Sequence, residues 1–262
     1  MHRGNEDNPL FFSSSRYRYH TRGHSFNSVP MLQILLEHYG HTVTCLGLPG
    51  SSNKQQIENL DHYLKKSTYS PDVIVFLQTD PLRDLVNNDD FLEDNNPTPD
   101  QKMAQRLGIK EWSVEDFESK VEHLLESSYT HLFGILDKNI HLLMLGGCST
   151  VLPGLVEKSA EITDFKNAHV VSENIICDIH YISTGENISK FHPCYLNRIE
   201  SYIDETWNKD LVDHLYQLSF YTIVSDHSAM RNYTYPDSVH INASSMIVVA
   251  EMINQYLDKL DM

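Results

Sequence analysis

Two hydrophobic periods take turns along this chain. Residues 16–22 alternate Tyr17, Tyr19 and Thr21 with Arg16, Arg18, His20 and Arg22, a period of two that predicts a strand. Residues 28–39 switch to helical spacing, with Met31, Ile34, Leu35 and Tyr39 on one stripe, Pro30 tolerable in the first turn and Gly40 a C-terminal stop. Thr42 to Leu46 reads as a short buried strand that runs into Gly47-Leu48-Pro49-Gly50-Ser51-Ser52-Asn53, a dense cluster of turn formers, and a helix follows to about Lys66. Asp72 to Gln78 (DVIVFLQ) is a continuous β-branched and aromatic run, as expected of a parallel strand covered on both faces, and it ends at Thr79-Asp80-Pro81.

The alternation continues with a long helical pattern over Val114 to Leu136 and an apolar strand from His141 to Leu145 that ends in Gly146-Gly147-Cys148. Residues 168–182 suggest one further strand or two with a break, 208–224 a helix, and Ser244 to Leu260 an amphipathic closing helix. Residues 1–15 are polar and Ser-rich, which predicts a flexible lead-in, and residues 16–262 then form a single domain. Residues 85–113, rich in Asn, Asp and Pro, are too long for a simple connection and predict an inserted loop or lid.

Strand, turn and helix repeating from end to end predict an α/β fold with a mainly parallel sheet and helices on both faces. In such sheets ligands bind at the carboxyl ends of the strands, so the turns at Gly23 to Ser25, Gly47 to Asn53, Thr79 to Asp84 and Gly146 to Ser149 are where a site is expected.

Charge narrows the partners. The 262 residues carry 20 Lys+Arg against 36 Asp+Glu, a formal net charge of −16, with no basic run to follow a phosphate backbone or an anionic bilayer. Nucleic acid and membrane are therefore not expected as partners. The longest apolar runs, Val73 to Leu77 and Met246 to Ala250, fall far short of the ~20 residues that cross a bilayer. The first residues lack the apolar core of a secretory signal, and 4 cysteines are too sparse for a disulfide framework, so a cytoplasmic setting is expected. Cys177-x-x-His180 with His192-x-Cys194 offers four metal-ligand types, but His-x-Cys is not a usual zinc spacing, and no metal or organic cofactor is expected.

Acyl transfer at a strand end requires a nucleophile on a tight turn, donors for an oxyanion, and a His oriented by a carboxylate. Ser25 follows Gly23 at the first strand-to-helix junction, Gly47 follows the second strand, and Asp237 stands three residues before His240 ahead of the last helix. With Gly23-His24-Ser25-Phe26, LGLPGSSN, LQTD and Asp237-x-x-His240 in this order, the chain resembles the SGNH (GDSL-like) hydrolases over most of its length. The segments GHSF, LGLPGSSN and TDPLRD resemble bacteriophage-encoded members, which would place the protein in a host cytoplasm or a virion.

The resemblance implies a three-layer α/β/α, flavodoxin-like fold with about five strands. It implies a serine esterase, often a deacetylase, acting on a small-molecule or carbohydrate ester through an acyl-Ser25 intermediate, with His240 as base and Asp237 orienting it. The oxyanion donors would be the N–H groups of Ser25 and Gly47 and the side chain of Thr79. Gln78, Asp80 and Arg83 would face the substrate; a surface ion pair of Arg83 with Asp80 or Asp84 is the competing reading of that residue. Two departures stand out: His24 replaces the usual Asp between Gly and Ser, and Thr79 takes the place of an oxyanion-donating Asn. They leave a second reading, a non-catalytic binding or virion-structural protein that keeps the fold and cleft. Neither reading fixes an oligomeric state.

Overall fold

A computed structural model describes residues 9–13, 28–46, 51–85, 108–147, 149–185, 203–218 and 243–260. In chain order the elements are β1 (Pro9–Ser13), α1 (Ser28–His38), β2 (Thr42–Cys45), α2 (Asn53–Lys66), β3 (Val73–Gln78), α3 (Val114–Ile135), β4 (His141–Gly146), α4 (Pro153–Thr163), β5 (Ala168–Ser172), α5 (Ile175–Thr184), α6 (Lys209–Leu218) and α7 (Ala243–Lys259). Short 3-10 turns stand at Pro81–Leu85 and Ile109–Glu111. The fold is α/β: every described strand pair is parallel, and the sheet order is β2-β1-β3-β4-β5.

The strands explain why a run without alternation belongs in such a sheet. In β3, Val73 and Val75 point to one face and Ile74 and Phe76 to the other, and all four are at most 1% exposed. β4 repeats this with Leu143 and Leu145 against Leu142 and Met144. One face packs on Leu32 and Leu36 of α1, Ile175, Ile176 and Ile179 of α5, and Met246, Val249, Ile253 and Leu257 of α7. The other packs on Ile57 and Leu60 of α2, Phe117, Val121, Leu125 and Tyr129 of α3, Val156 of α4, and Leu211 and Leu215 of α6. Helices therefore flank the sheet on both sides.

Local chemistry starts the helices. Ser52 caps α2 by accepting from Gln55 N at 3.2 Å. Ser113 and Asp116 form a reciprocal capping box at the start of α3, Ser113 Oγ accepting from Asp116 N at 3.0 Å and Asp116 Oδ2 from Ser113 N at 3.0 Å. Asn174 caps α5 by accepting from Ile176 N at 3.0 Å and Cys177 N at 3.2 Å.

Two sequence expectations are corrected here. The first strand lies at Pro9–Ser13, inside the stretch read as a flexible lead-in, and it sits between β2 and β3. The strand expected over 16–22 lies outside the described residues. The β1 sequence, Pro-Leu-Phe-Phe-Ser, carries no alternation for a period-two search to find. Residues 168–182 also divide differently: β5 ends at Ser172 and α5 begins at Ile175, the Asn174 cap turning an isoleucine-rich segment into a helix. Of the insertion expected over 85–113, residues 86–107 lie outside the described residues, while Ile109 at its end is buried in the core. Among the described residues no helix is long and apolar enough to cross a membrane.

Candidate active site at the carboxyl edge of the sheet

β1 is followed in the sheet by β2 on one side and β3 on the other, so the winding direction reverses between β1 and β3. Ligands of open α/β sheets bind at the carboxyl ends of the strands beside such a reversal. At that edge the structure places the end of β3 (Gln78, Thr79, Asp80), the start of α2 (Ser51, Ser52, Asn53) and the loop after β4 (Gly147, Ser149, Thr150), in a polar cluster of which all but the half-buried Gly147 and Thr150 are buried.

Thr79 is at its centre. Its N–H donates to Asn53 Oδ1 at 2.9 Å, and its carbonyl accepts from Asn53 Nδ2 at 3.1 Å and from Ser149 Oγ at 2.9 Å. Gln78 forms the layer beneath. Its Nε2 donates to Ser149 Oγ at 2.6 Å and to Thr150 O at 2.9 Å, and its Oε1 accepts from the Tyr129 hydroxyl. Burial pushes the Tyr129 phenol up from its ordinary value, so it stays a neutral donor to that amide. Both N–H groups of Gln78 are thus engaged within the fold, which corrects its expected role as a substrate contact: the residue supports the site from below.

The loop after β4 is held so closely that two glycines are required. A Cβ on Gly146 would lie 1.9 Å from the carbonyl oxygen of Glu173, and one on Gly147 would lie 2.9 Å from that of Gln78. Gly147 N donates to the same Gln78 carbonyl at 3.1 Å, which stitches the exits of β3 and β4 together.

Asp80 is buried and its Oδ1 accepts from Leu82 N at 2.9 Å, so the carboxylate shapes the 3-10 turn that follows β3. Arg83, in that turn, is only 2% exposed, so its guanidinium lies inside the molecule and not at the surface, where the competing reading put it. Asp84 accepts from Lys54 N at 2.8 Å and Ser128 Oγ at 3.3 Å. Burial nonetheless raises its pKa, outweighing the lowering by hydrogen bonds from Ser52, Lys54 and Ser128.

Of the residues assigned to catalysis, Thr79 is described, whereas Ser25, Gly47, Asp237 and His240 lie outside the described residues. Cys177 and His180 fall one turn apart on α5, and burial pushes the Cys177 thiol up to about 12. His192 and Cys194 lie outside the described residues. The sequence reading placed Asn53 and Ser149 in turns where a site is expected but gave them no role, and it missed Tyr129 as part of this edge. Asn53 and Ser149 were visible only as turn formers, and Tyr129 as one apolar position of a long helix. Set against known proteins, the chain matches no family model and no curated sequence.

Proposed function

We propose that this chain is an SGNH-like serine hydrolase that removes an acyl group, acetyl in the first instance, from a small-molecule or carbohydrate ester. The observation that carries the reading is the polar cluster around Thr79 at the carboxyl end of β3, beside the reversal between β1 and β3. The order β2-β1-β3-β4-β5 is that of flavodoxin-like sheets, the architecture the resemblance implies. In the sequence Ser25 stands between β1 and α1, Gly47 two residues after β2, Thr79 directly after β3 and His240 three residues before α7. These connections, apart from the one into α7, each leave a strand at its carboxyl end.

In this mechanism the Ser25 hydroxyl attacks the ester carbonyl while His240, oriented by Asp237, takes its proton. The carbonyl oxygen becomes an oxyanion that accepts from the Ser25 and Gly47 N–H groups and the Thr79 hydroxyl. Collapse breaks the ester C–O bond, and His240 returns the proton to the leaving alcohol. Water, deprotonated by His240, then attacks the acyl-serine and restores the hydroxyl. The net charge of −16 favours a substrate that is not a polyanion.

One observation favours a second assignment of the nucleophile. A nucleophilic serine of an α/β hydrolase stands on the turn at the end of its strand. β1 ends at Ser13, so Ser14 and Ser15 follow it directly while Ser25 comes twelve residues later. Fluorophosphonate labelling followed by trypsin separates the two, because Ser13 to Ser15 fall in the peptide Gly4 to Arg16 and Ser25 in Gly23 to Lys54. An adduct on Ser25, lost in His240→Ala, supports the first assignment. An adduct on Ser14 or Ser15 with the same dependence keeps the hydrolase and moves its nucleophile. A folded protein that takes no label overturns both in favour of a non-catalytic binding or virion-structural protein.

A further inference from the structure

Asn53 holds Thr79 in an unusual way for a side chain at the start of a helix. Its amide accepts from the N–H and donates to the C=O of the same residue, at 2.9 and 3.1 Å, as a neighbouring strand does in a hydrogen-bonded ladder pair. The two peptide planes on either side of the Thr79 Cα are thereby fixed, and with them the direction of its Cα–Cβ bond. Ser149 Oγ, itself held by Gln78, secures the same carbonyl from the opposite loop.

The helix does not need this residue. Ser52 supplies the cap of α2, and Asn is a weak helix former because it competes for backbone hydrogen bonds. Asn53 is 1% exposed and both ends of its amide go to the residue just beyond β3. We infer that Asn53 is a positioning residue for the reaction: by fixing the Thr79 backbone it aims the Thr79 hydroxyl at the oxyanion. The inference rests on the hydrolase reading, and it adds a residue on α2 that acts only through Thr79.

The test is a double-mutant cycle on the full chain, with p-nitrophenyl acetate turnover and fluorophosphonate labelling as rates and exchange of the Thr79 amide by NMR as a readout independent of activity. Thr79→Val is expected to slow turnover by about 100- to 1000-fold, the cost of one oxyanion donor. Asn53→Ala is expected to lower kcat by about 10- to 100-fold with KM little changed, and to speed exchange of the Thr79 amide. In the Thr79→Val background, Asn53→Ala should slow turnover by no more than about a further twofold, since the hydroxyl it aims is already gone.

Asn53→Asp keeps the acceptor for Thr79 N–H but sets a carboxylate oxygen against the Thr79 carbonyl, so it removes one of the two bonds, and activity is expected to fall while the amide stays protected. Denaturant unfolding of each variant separates these losses from a failure to fold. Losses that multiply across the cycle, or accelerated exchange with kcat unchanged, overturn the inference while leaving the hydrolase standing. A folded wild type with neither turnover nor label overturns the hydrolase reading and this role together.

Discussion

β3 and β4 are held differently at their two ends. At the carboxyl end Gln78, Thr79, Asn53, Ser149 and Tyr129 are buried and joined side chain to side chain or side chain to backbone. At the amino end, His141 N donates to the Asp72 carbonyl at 2.9 Å, and the half-exposed His141 and His169 rings meet through Nδ1 and Nε2 at 3.1 Å. Polar groups removed from water destabilise the fold unless every donor and acceptor finds a partner, whereas half-exposed ones retain water as an alternative. The carboxyl end thus holds costly polar groups in one arrangement, and the amino end holds inexpensive ones loosely. A protein gains from that asymmetry when the costly end has work to do.

The largest expected effect comes from forcing the exits of β4 and β5 apart at the carboxyl edge. Gly146→Ala puts a methyl 1.9 Å from the Glu173 carbonyl oxygen, so either the loop after β4 or the end of β5 must move. Loss of several kcal/mol or failure to fold is expected, by the scale of overpacking in a close-packed region; an unchanged melting temperature would show that this edge yields easily. Tyr129→Phe tests the network itself, since it leaves Gln78 Oε1 buried without that donor. A cost of about 1–3 kcal/mol in denaturant unfolding is expected.

Titration compares the two ends more finely. The Asp84 carboxyl has a raised folded pKa, so its contribution is full below the ordinary carboxylate value near 3.8 and is lost as pH rises through the folded value. Asp84→Asn should therefore remove part of the decline in melting temperature as pH rises above the ordinary carboxylate value. His169 is the opposite case, its folded pKa lowered by burial and by the neighbouring His141. Its contribution is present above 6.5 and lost as pH falls through the folded value, so His169→Gln should flatten that acid limb. This is the smallest effect expected, because the ring is half-exposed and solvent screens it. Calorimetry across pH checks both, and equal slopes at the two ends would erase the contrast.

The same contrast divides what was legible in the sequence. Elements whose burial writes a period into the chain were readable: α3 and α7 show helical spacing, and β3 and β4 are unbroken apolar runs bounded by turn formers. α1 was legible as a helix but not in its orientation, since Ile34 and Tyr39 of the expected stripe are exposed while Leu32 and Leu36, which that stripe omits, are buried. β1 was not, because five residues without alternation and beside a Ser-rich stretch resemble a terminus, while the Tyr/Arg alternation after it mimics a half-buried strand. α5 was misread because Ile175, Ile176 and Ile179 favour strands singly and only the Asn174 cap shows that a helix starts there. At the candidate site Thr79 was reached through a motif. Asn53 and Ser149 stood in turns where a site was expected, but their hold on Thr79 was not legible, since hydrogen bonds 26 and 70 positions apart leave no local trace. Gln78 was legible as a residue near the site but not as one already spent on Tyr129, Ser149 and Thr150.

The seating of α7 has a consequence for biosynthesis. Met246, Val249, Ile253 and Leu257 complete the apolar layer that α1 begins with Leu32 and Leu36, and α7 packs directly on α1. A ribosome delivers the first half of that layer some two hundred residues ahead of the second, tens of seconds at ordinary elongation rates of about 5–20 residues per second. Part of one face of the nascent sheet therefore waits uncovered until α7 has been synthesised. A message truncated before residue 243 would release a chain with that face open, a substrate for chaperones and proteases in place of a smaller working domain.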